Sequence, residues 1–178
     1  MSKNIVLIGM PGCGKSTIGY ELSKKLSLEF IDVDTYIEKN EEMTISSMFE
    51  ISEEYFRQIE SKYIEKISKF NSTVISTGGG VVKNECNMLL LKKSSIIIYI
   101  NRKIEDIISD IDDSIRPLLK DNKERLYELY RQRHHLYQKY CNIEVLNNSD
   151  ISSIVEKIYG IMLNDSSLRL WIFLSDSA

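Results

Sequence analysis

The stretch Gly9-Met10-Pro11-Gly12-Cys13-Gly14-Lys15-Ser16 decides the fold. It fits the phosphate-binding loop pattern of glycine, four residues, Gly-Lys, then Ser or Thr. Its surroundings match as well. The apolar run Ile5-Val6-Leu7-Ile8 before it reads as a buried strand, and Ile18, Leu22 and Leu26 after it recur every four residues, as on one helix face. Glycines let the backbone wrap phosphate oxygens with its amide hydrogens turned inward. A helix starting at Lys15 adds its positive dipole end. Lys15 is placed to reach the β- and γ-phosphates, and the Ser16 hydroxyl to bind Mg²⁺.

The rest of the chain sets limits. At 178 residues it is expected to form one domain with a full core. Its net charge of −3 excludes a general attraction to nucleic acid or to an anionic membrane, so local cations must draw any anionic substrate. Cys13, Cys86 and Cys141 are odd in number and form no CxxC pair, which fits a reducing compartment better than a disulfide framework or a zinc site. Cys13 reads as a small residue filling a tight loop. The N-terminus runs straight into the first strand, leaving no room for a signal peptide. No apolar run approaches the ~18 residues of a membrane span.

Working outward, β-rich runs recur at 5–8, 29–33, 73–76, 95–100 and 142–146, separated by helical patterns. This alternation predicts an α/β fold with a parallel sheet between two helix layers. The segment 34–70 is too long for one crossover helix. Within it, Ser52 is a plausible N-cap for a helix running to Phe70, and Phe56, Ile59, Tyr63, Ile67 and Phe70 form its apolar stripe. Residues 109–121 have neither clear period nor glycine and read as a lid or a surface connection. A helix from about Lys123 to Tyr140 carries Leu126, Leu129, Tyr130, Tyr137 and Tyr140 on one stripe, with Arg133 among them. A charge on a buried face needs a partner or a ligand. After Met162 the pattern decays, and the tail 165–178 has no assigned role.

Chemistry gathers at strand ends, where ligands bind in α/β sheets. Asp32 and Asp34 close the second run. Read as extended, they project to the same side. They either divide metal binding and acceptor activation between them or cap the following helix. Thr77-Gly78-Gly79-Gly80 follows the third run and exposes backbone amides at the same sheet edge. Arg57 and Glu60 have the spacing of a helical ion pair. Arg116-Pro117 offers an arginine that could close over phosphates. His134 and His135 flank Arg133 with no metal-type ligands nearby, and read as packing residues.

Together these residues resemble the shikimate kinase family. The matching elements are the Gly9–Ser16 loop, Asp32-x-Asp34, Phe56-Arg57-x-x-Glu60, Gly78-Gly79-Gly80, Arg116-Pro117-Leu118-Leu119, and Arg133 followed by Leu136-Tyr137. The resemblance spans about residues 4–163. It implies a P-loop NTPase fold of the nucleoside-monophosphate-kinase type, with a five-stranded parallel sheet. It further implies one kinase domain over 1–164, a substrate-binding insert at about 34–61 and a lid at about 109–121. The implied reaction transfers the γ-phosphoryl of ATP to the 3-hydroxyl of shikimate, with Mg²⁺, on the route to chorismate and the aromatic amino acids.

Carried over by position, Gly12, Cys13, Gly14, Lys15, Ser16, Thr17 and Arg116 bind the nucleotide. Ser16 ligates the metal, and Asp32 holds it through water. Asp34, Arg57, Gly78, Gly79, Gly80 and Arg133 bind shikimate. Asp34, Lys15 and Arg116 are catalytic. The implied protein is a cytoplasmic monomer that engages neither nucleic acid nor membrane. Two departures stand out. His135 replaces a family proline. Ile108-Ser109-Asp110 stands where relatives carry a basic residue against adenine, which makes Asn147 and Asn148 candidates for that contact. The competing readings are a gluconate or nucleotide kinase, and a nucleotide-binding module without catalysis.

Overall fold

The structure is a computed structural model, and it describes residues 4–110 and 119–164. Five parallel strands form one sheet in the order β2-β3-β1-β4-β5. They are β1 Asn4–Ile8, β2 Glu29–Asp32, β3 Thr73–Ser76, β4 Ser95–Asn101 and β5 Ile143–Leu146. The central strand β1 is buried at every position, which is why residues 5–8 form a continuous apolar run and not an alternating one. Each such side chain contributes roughly 1.5–3 kcal/mol on burial. The edge strands β2 and β5 are only partly covered.

Eight helices are described. They are α1 Lys15–Leu26, α2 Val33–Glu41, α3 Ile45–Ile51, α4 Glu53–Ile67, α5 Glu85–Ser94, α6 Ile104–Ser109, α7 Leu119–Tyr140 and α8 Ile151–Asn164. None is long and apolar enough to cross a membrane. The segment between β2 and β3 folds into α2, α3 and α4, so it is indeed more than one crossover helix. Ser52 caps α4 by accepting from the Tyr55 amide at 3.0 Å. That helix ends at Ile67, three residues before the expected Phe70.

Two expectations need correction. Asp34 is not in an extended segment: β2 ends at Asp32, and Asp34 lies in the first turn of α2. The long helix begins at Leu119, four residues before Lys123. The expected lid, 109–121, therefore overlaps α6 at one end and α7 at the other, and its middle, with Arg116, lies outside the described residues.

Parallel strands all point their carboxyl ends to one edge. The loops after β1, β2 and β3 meet there, and Thr77 ties two of them together. Its amide and hydroxyl both donate to the Leu7 carbonyl, at 3.2 and 2.9 Å.

Candidate active site

The loop after β1 closes around its own lysine. Lys15 Nζ, almost wholly buried, donates to the carbonyls of Gly9 at 3.0 Å and Met10 at 2.8 Å. This holds the ammonium inside the loop, at the start of α1. Gly14, the N-cap of α1, has φ of 94°, a left-handed conformation that side-chain-bearing residues avoid. Cys13 is fully buried, as its role of loop filler requires.

Ser16 Oγ donates to Asp32 Oδ2 at 2.6 Å and lies 3.2 Å from Ser76 Oγ. Asp32 Oδ1 accepts from the Thr35 amide at 3.2 Å, so this aspartate both caps α2 and faces the phosphate loop. The two expected roles for Asp32 are thus compatible. A hydroxyl and a carboxylate at a phosphate site are hard oxygen donors. That set fits Mg²⁺, which takes few protein ligands and completes its shell with water and phosphate. No cluster of three or more His, Cys, Asp or Glu that could hold a metal exists among the described residues.

The helical position of Asp34 turns its side chain toward Gly78. An added Cβ at Gly78 would lie 2.8 Å from Asp34 Oδ1. That oxygen is buried and has no hydrogen-bond partner among the described residues. Burial, and then the charge of Asp32, push the Asp34 carboxyl above its ordinary value against the pull of Lys15 and Arg57. An unpartnered, desolvated carboxylate is poised to take a proton.

Across from it, Arg57 on α4 donates to Glu60 Oε2 at 2.7 Å and lies 3.4 Å from Glu53. Its guanidinium also sits against the Phe56 ring, 5.0 Å from the centroid. Spacing alone left open a surface pair, but Glu60 is fully buried. Gly80 leaves room for this guanidinium, since any side chain there would collide with it. On α7, Arg133 Nη1 donates to the Gly79 carbonyl at 3.3 Å, while its buried Nε has no partner among the described residues. Tyr137 donates to the same carbonyl at 2.6 Å. The Gly79 carbonyl is therefore engaged by the protein itself.

A cavity of about 200 Å³ joins these groups, bringing Asp34, Arg57, Glu60, Gly78, Gly79, Gly80 and Arg133 together. Its size lies below the ~300–1,000 Å³ of pockets for drug-sized ligands and suits a small acceptor. Sequence reasoning missed Arg125, which also lines it. The signal was available: Arg125 precedes Arg133 by eight residues, about two helical turns on one face. A second cavity of about 650 Å³ flanks the phosphate loop, lined by Gly12, Gly14, Thr17, Arg102, Asn147 and Asn148 among others. Asn147, a candidate for the adenine contact, lines it, with its amide committed to the Cys13 carbonyl at 2.9 Å. His134 packs, stacked on Tyr130 and 2.9 Å from the Tyr99 hydroxyl.

A family model described as shikimate kinase matches residues 11–162. The chain belongs to the shikimate kinase family. A shikimate kinase of Clostridium botulinum (strain Alaska E43 / Type E3) is 50% identical over 165 residues, covering 93% of this chain and all of that relative. Among solved structures, shikimate kinase from Acinetobacter baumannii in complex with shikimate superposes with a TM-score of 0.86 at 29% identity, covering 93% of this chain and 96% of that one. Shikimate kinase from Aquifex aeolicus gives 0.77 at 34%, covering 88% and 94%. The family's activity is ATP-dependent phosphorylation of shikimate, a step in aromatic amino acid biosynthesis.

Proposed function

We propose that the two cavities are the two substrate sites of shikimate phosphorylation, with ATP phosphates on the Gly9–Ser16 loop and shikimate beside Asp34. The observation that carries this is Asp34, whose buried Oδ1 has no hydrogen-bond partner among the described residues, in a cavity that also holds Arg57 and Arg133 and within the field of the loop lysine. Asp34 accepts the proton of the shikimate 3-hydroxyl. The hydroxyl oxygen forms a bond to the γ-phosphorus, the bond from that phosphorus to the β-bridging oxygen breaks, and ADP leaves with the bond's electron pair. Lys15 lies against the transferring phosphoryl group. Arg57 and Arg133, with Arg125 nearby, bind the shikimate carboxylate, for which the planar guanidinium fork is suited. Glu60 orients Arg57. The Gly79 and Gly80 backbone lines the acceptor. Arg116 closes over the phosphates with the lid and excludes water, which would otherwise take the phosphoryl group.

Mg²⁺, held by Ser16 and through water by Asp32, would supply neutralisation of phosphate charge when bound. We assign the kinase activity to a single domain over 1–164 that acts as a monomer in the cytoplasm. A coupled ADP-release assay offering shikimate, gluconate and nucleoside monophosphates tests the reading. ATP-dependent turnover of shikimate alone is expected. Preference for gluconate or a nucleotide would overturn it, and ATP binding without any turnover would favour a non-catalytic module.

A further inference from the structure

The larger cavity contains a cation that the reaction has not used. Arg102 follows β4 and lines the wall of this cavity beside Gly12 and Gly14. Its Nη1 pairs with Asp110 Oδ2 at 2.6 Å and approaches the Gly12 carbonyl at 3.5 Å. The guanidinium is thus strung between the end of α6 and the phosphate loop. A guanidinium is planar, and carboxylate and carbonyl oxygens bond to its N–H groups along the edge. The flat faces remain uncommitted, and no aromatic ring covers them among the described residues. None of the described residues that line the cavity is aromatic, and Arg102 is the one cation among them. Pairing with Asp110 also removes most of its net charge, so attraction to phosphate is a poor use for it. A flat surface beside a phosphate site suits a nucleobase instead.

We propose that Arg102 is the stacking residue for the adenine ring of ATP, held in plane by Asp110. This rests on the reading of ATP as donor. The arginine comes from the end of β4, and its spacing from the loop gives no hint of the role, so only the folded chain reveals it.

The test measures dissociation constants for ATP and for inorganic tripolyphosphate by calorimetry, with wild type, Arg102→Ala and Arg102→Lys. Arg102→Ala should weaken ATP by about 3- to 30-fold and leave tripolyphosphate unchanged, which also reports an intact phosphate loop. Arg102→Lys keeps the charge without the flat face and should fall closer to alanine than to wild type. Equal weakening of both ligands would make Arg102 a phosphate contact and overturn the proposal. So would unchanged ATP binding, or a lysine variant that matches wild type. If the alanine variant does not fold, the lysine variant decides. Failure of wild type to bind ATP would sink the functional reading itself, a distinguishable result.

Discussion

Replacing Arg57 with alanine should produce two separable defects. The first is in binding. A hydrogen bond between charged groups contributes about 1.5–3 kcal/mol, so the KM for shikimate should rise about 10- to 150-fold, with the KM for ATP little changed. The second is in stability, through Glu60. Its Oε1 already has no partner among the described residues, and removal of Arg57 takes the 2.7 Å partner from Oε2. Breaking a buried ion pair from one side costs about 3–5 kcal/mol. Protonation caps that cost. Neutralising a carboxyl of ordinary value 4.5 costs about 1.4 kcal/mol per pH unit above it. The penalty is therefore limited to about 4 kcal/mol at pH ~7.5 and about 1.4 kcal/mol at pH ~5.5.

The sign follows from burial, which already raises Glu60 in the wild type against the opposing pull of Arg57. A raised carboxyl binds its proton more tightly folded than unfolded, so stability is lost as pH climbs from the ordinary value through the raised one. Losing Arg57 steepens that loss. At about 2–4 °C per kcal/mol for a chain of this size, the Tm deficit should reach roughly 8–16 °C at pH ~7.5 and shrink to about 3–6 °C at pH ~5.5. Thermal melts of wild type, Arg57→Ala and the double variant Arg57→Ala/Glu60→Gln across this range provide the assay. The double variant should lose the extra pH dependence. An Arg57→Ala deficit of equal size at both pH values would refute the idea that the arginine compensates a buried anion.

Two further substitutions probe the same geometry. Asp34→Asn should lower kcat about 10²- to 10⁴-fold with ATP affinity intact, measured by steady-state kinetics and calorimetry. Because the Asp34 carboxyl is raised and a base works only when ionised, wild-type kcat should fall as pH drops through a value above the ordinary 3.8. Asp34→Asn should also melt higher than wild type near neutral pH, since the raised carboxyl costs stability there; a lower Tm would count against burial as the cause. Tyr137→Phe removes the 2.6 Å bond to Gly79 while keeping a ring to stack on Tyr99. The KM for shikimate should rise about 2- to 10-fold. The Tyr137 hydroxyl also lies 3.9 Å from the Met10 sulfur, so an equal rise for ATP would mean that the tyrosine supports the phosphate loop instead.

The legible parts of the fold were those with strong local signals. β1, β3 and β4 are buried on both faces and read as apolar runs. Ser52 announced its helix through capping chemistry. Asp34 was misplaced because the β2 run extends one apolar residue, Val33, into the helix that Asp32 caps. Arg133 was visible as a charge on an apolar stripe. Arg102 was not singled out, because it stands among polar residues and only the turn of the chain into a cavity distinguishes it from a solvated charge. Arg125 was signalled only by its spacing from Arg133 along one helix. Glu60 was seen as a spacing, but its burial depends on contacts distant in sequence.

Under the proposed assignment, the charges of the acceptor cavity account for how a chain of net charge −3 would hold an anion. Among the described residues, three carboxylates and three guanidiniums line it: Asp34, Glu53 and Glu60 against Arg57, Arg125 and Arg133. They are not equivalent. Glu53 is taken by Lys83 at 2.6 Å, and Glu60 by Arg57. Among the described residues, Asp34 has a buried oxygen without a partner, and Arg133 has a buried Nε without one. Each leftover group matches one end of a small hydroxy acid. The carboxylate ligand answers the unsatisfied guanidinium, and the hydroxyl answers the unsatisfied base. Unpaired polar groups of this kind cost stability in the empty site. A ligand that satisfies both removes that cost on binding, and one that lacks either end leaves it in place. On the proposed assignment, selectivity for a hydroxylated carboxylate over a neutral sugar is expected to arise from what the folded chain leaves unpaired, more than from the shape of the cavity.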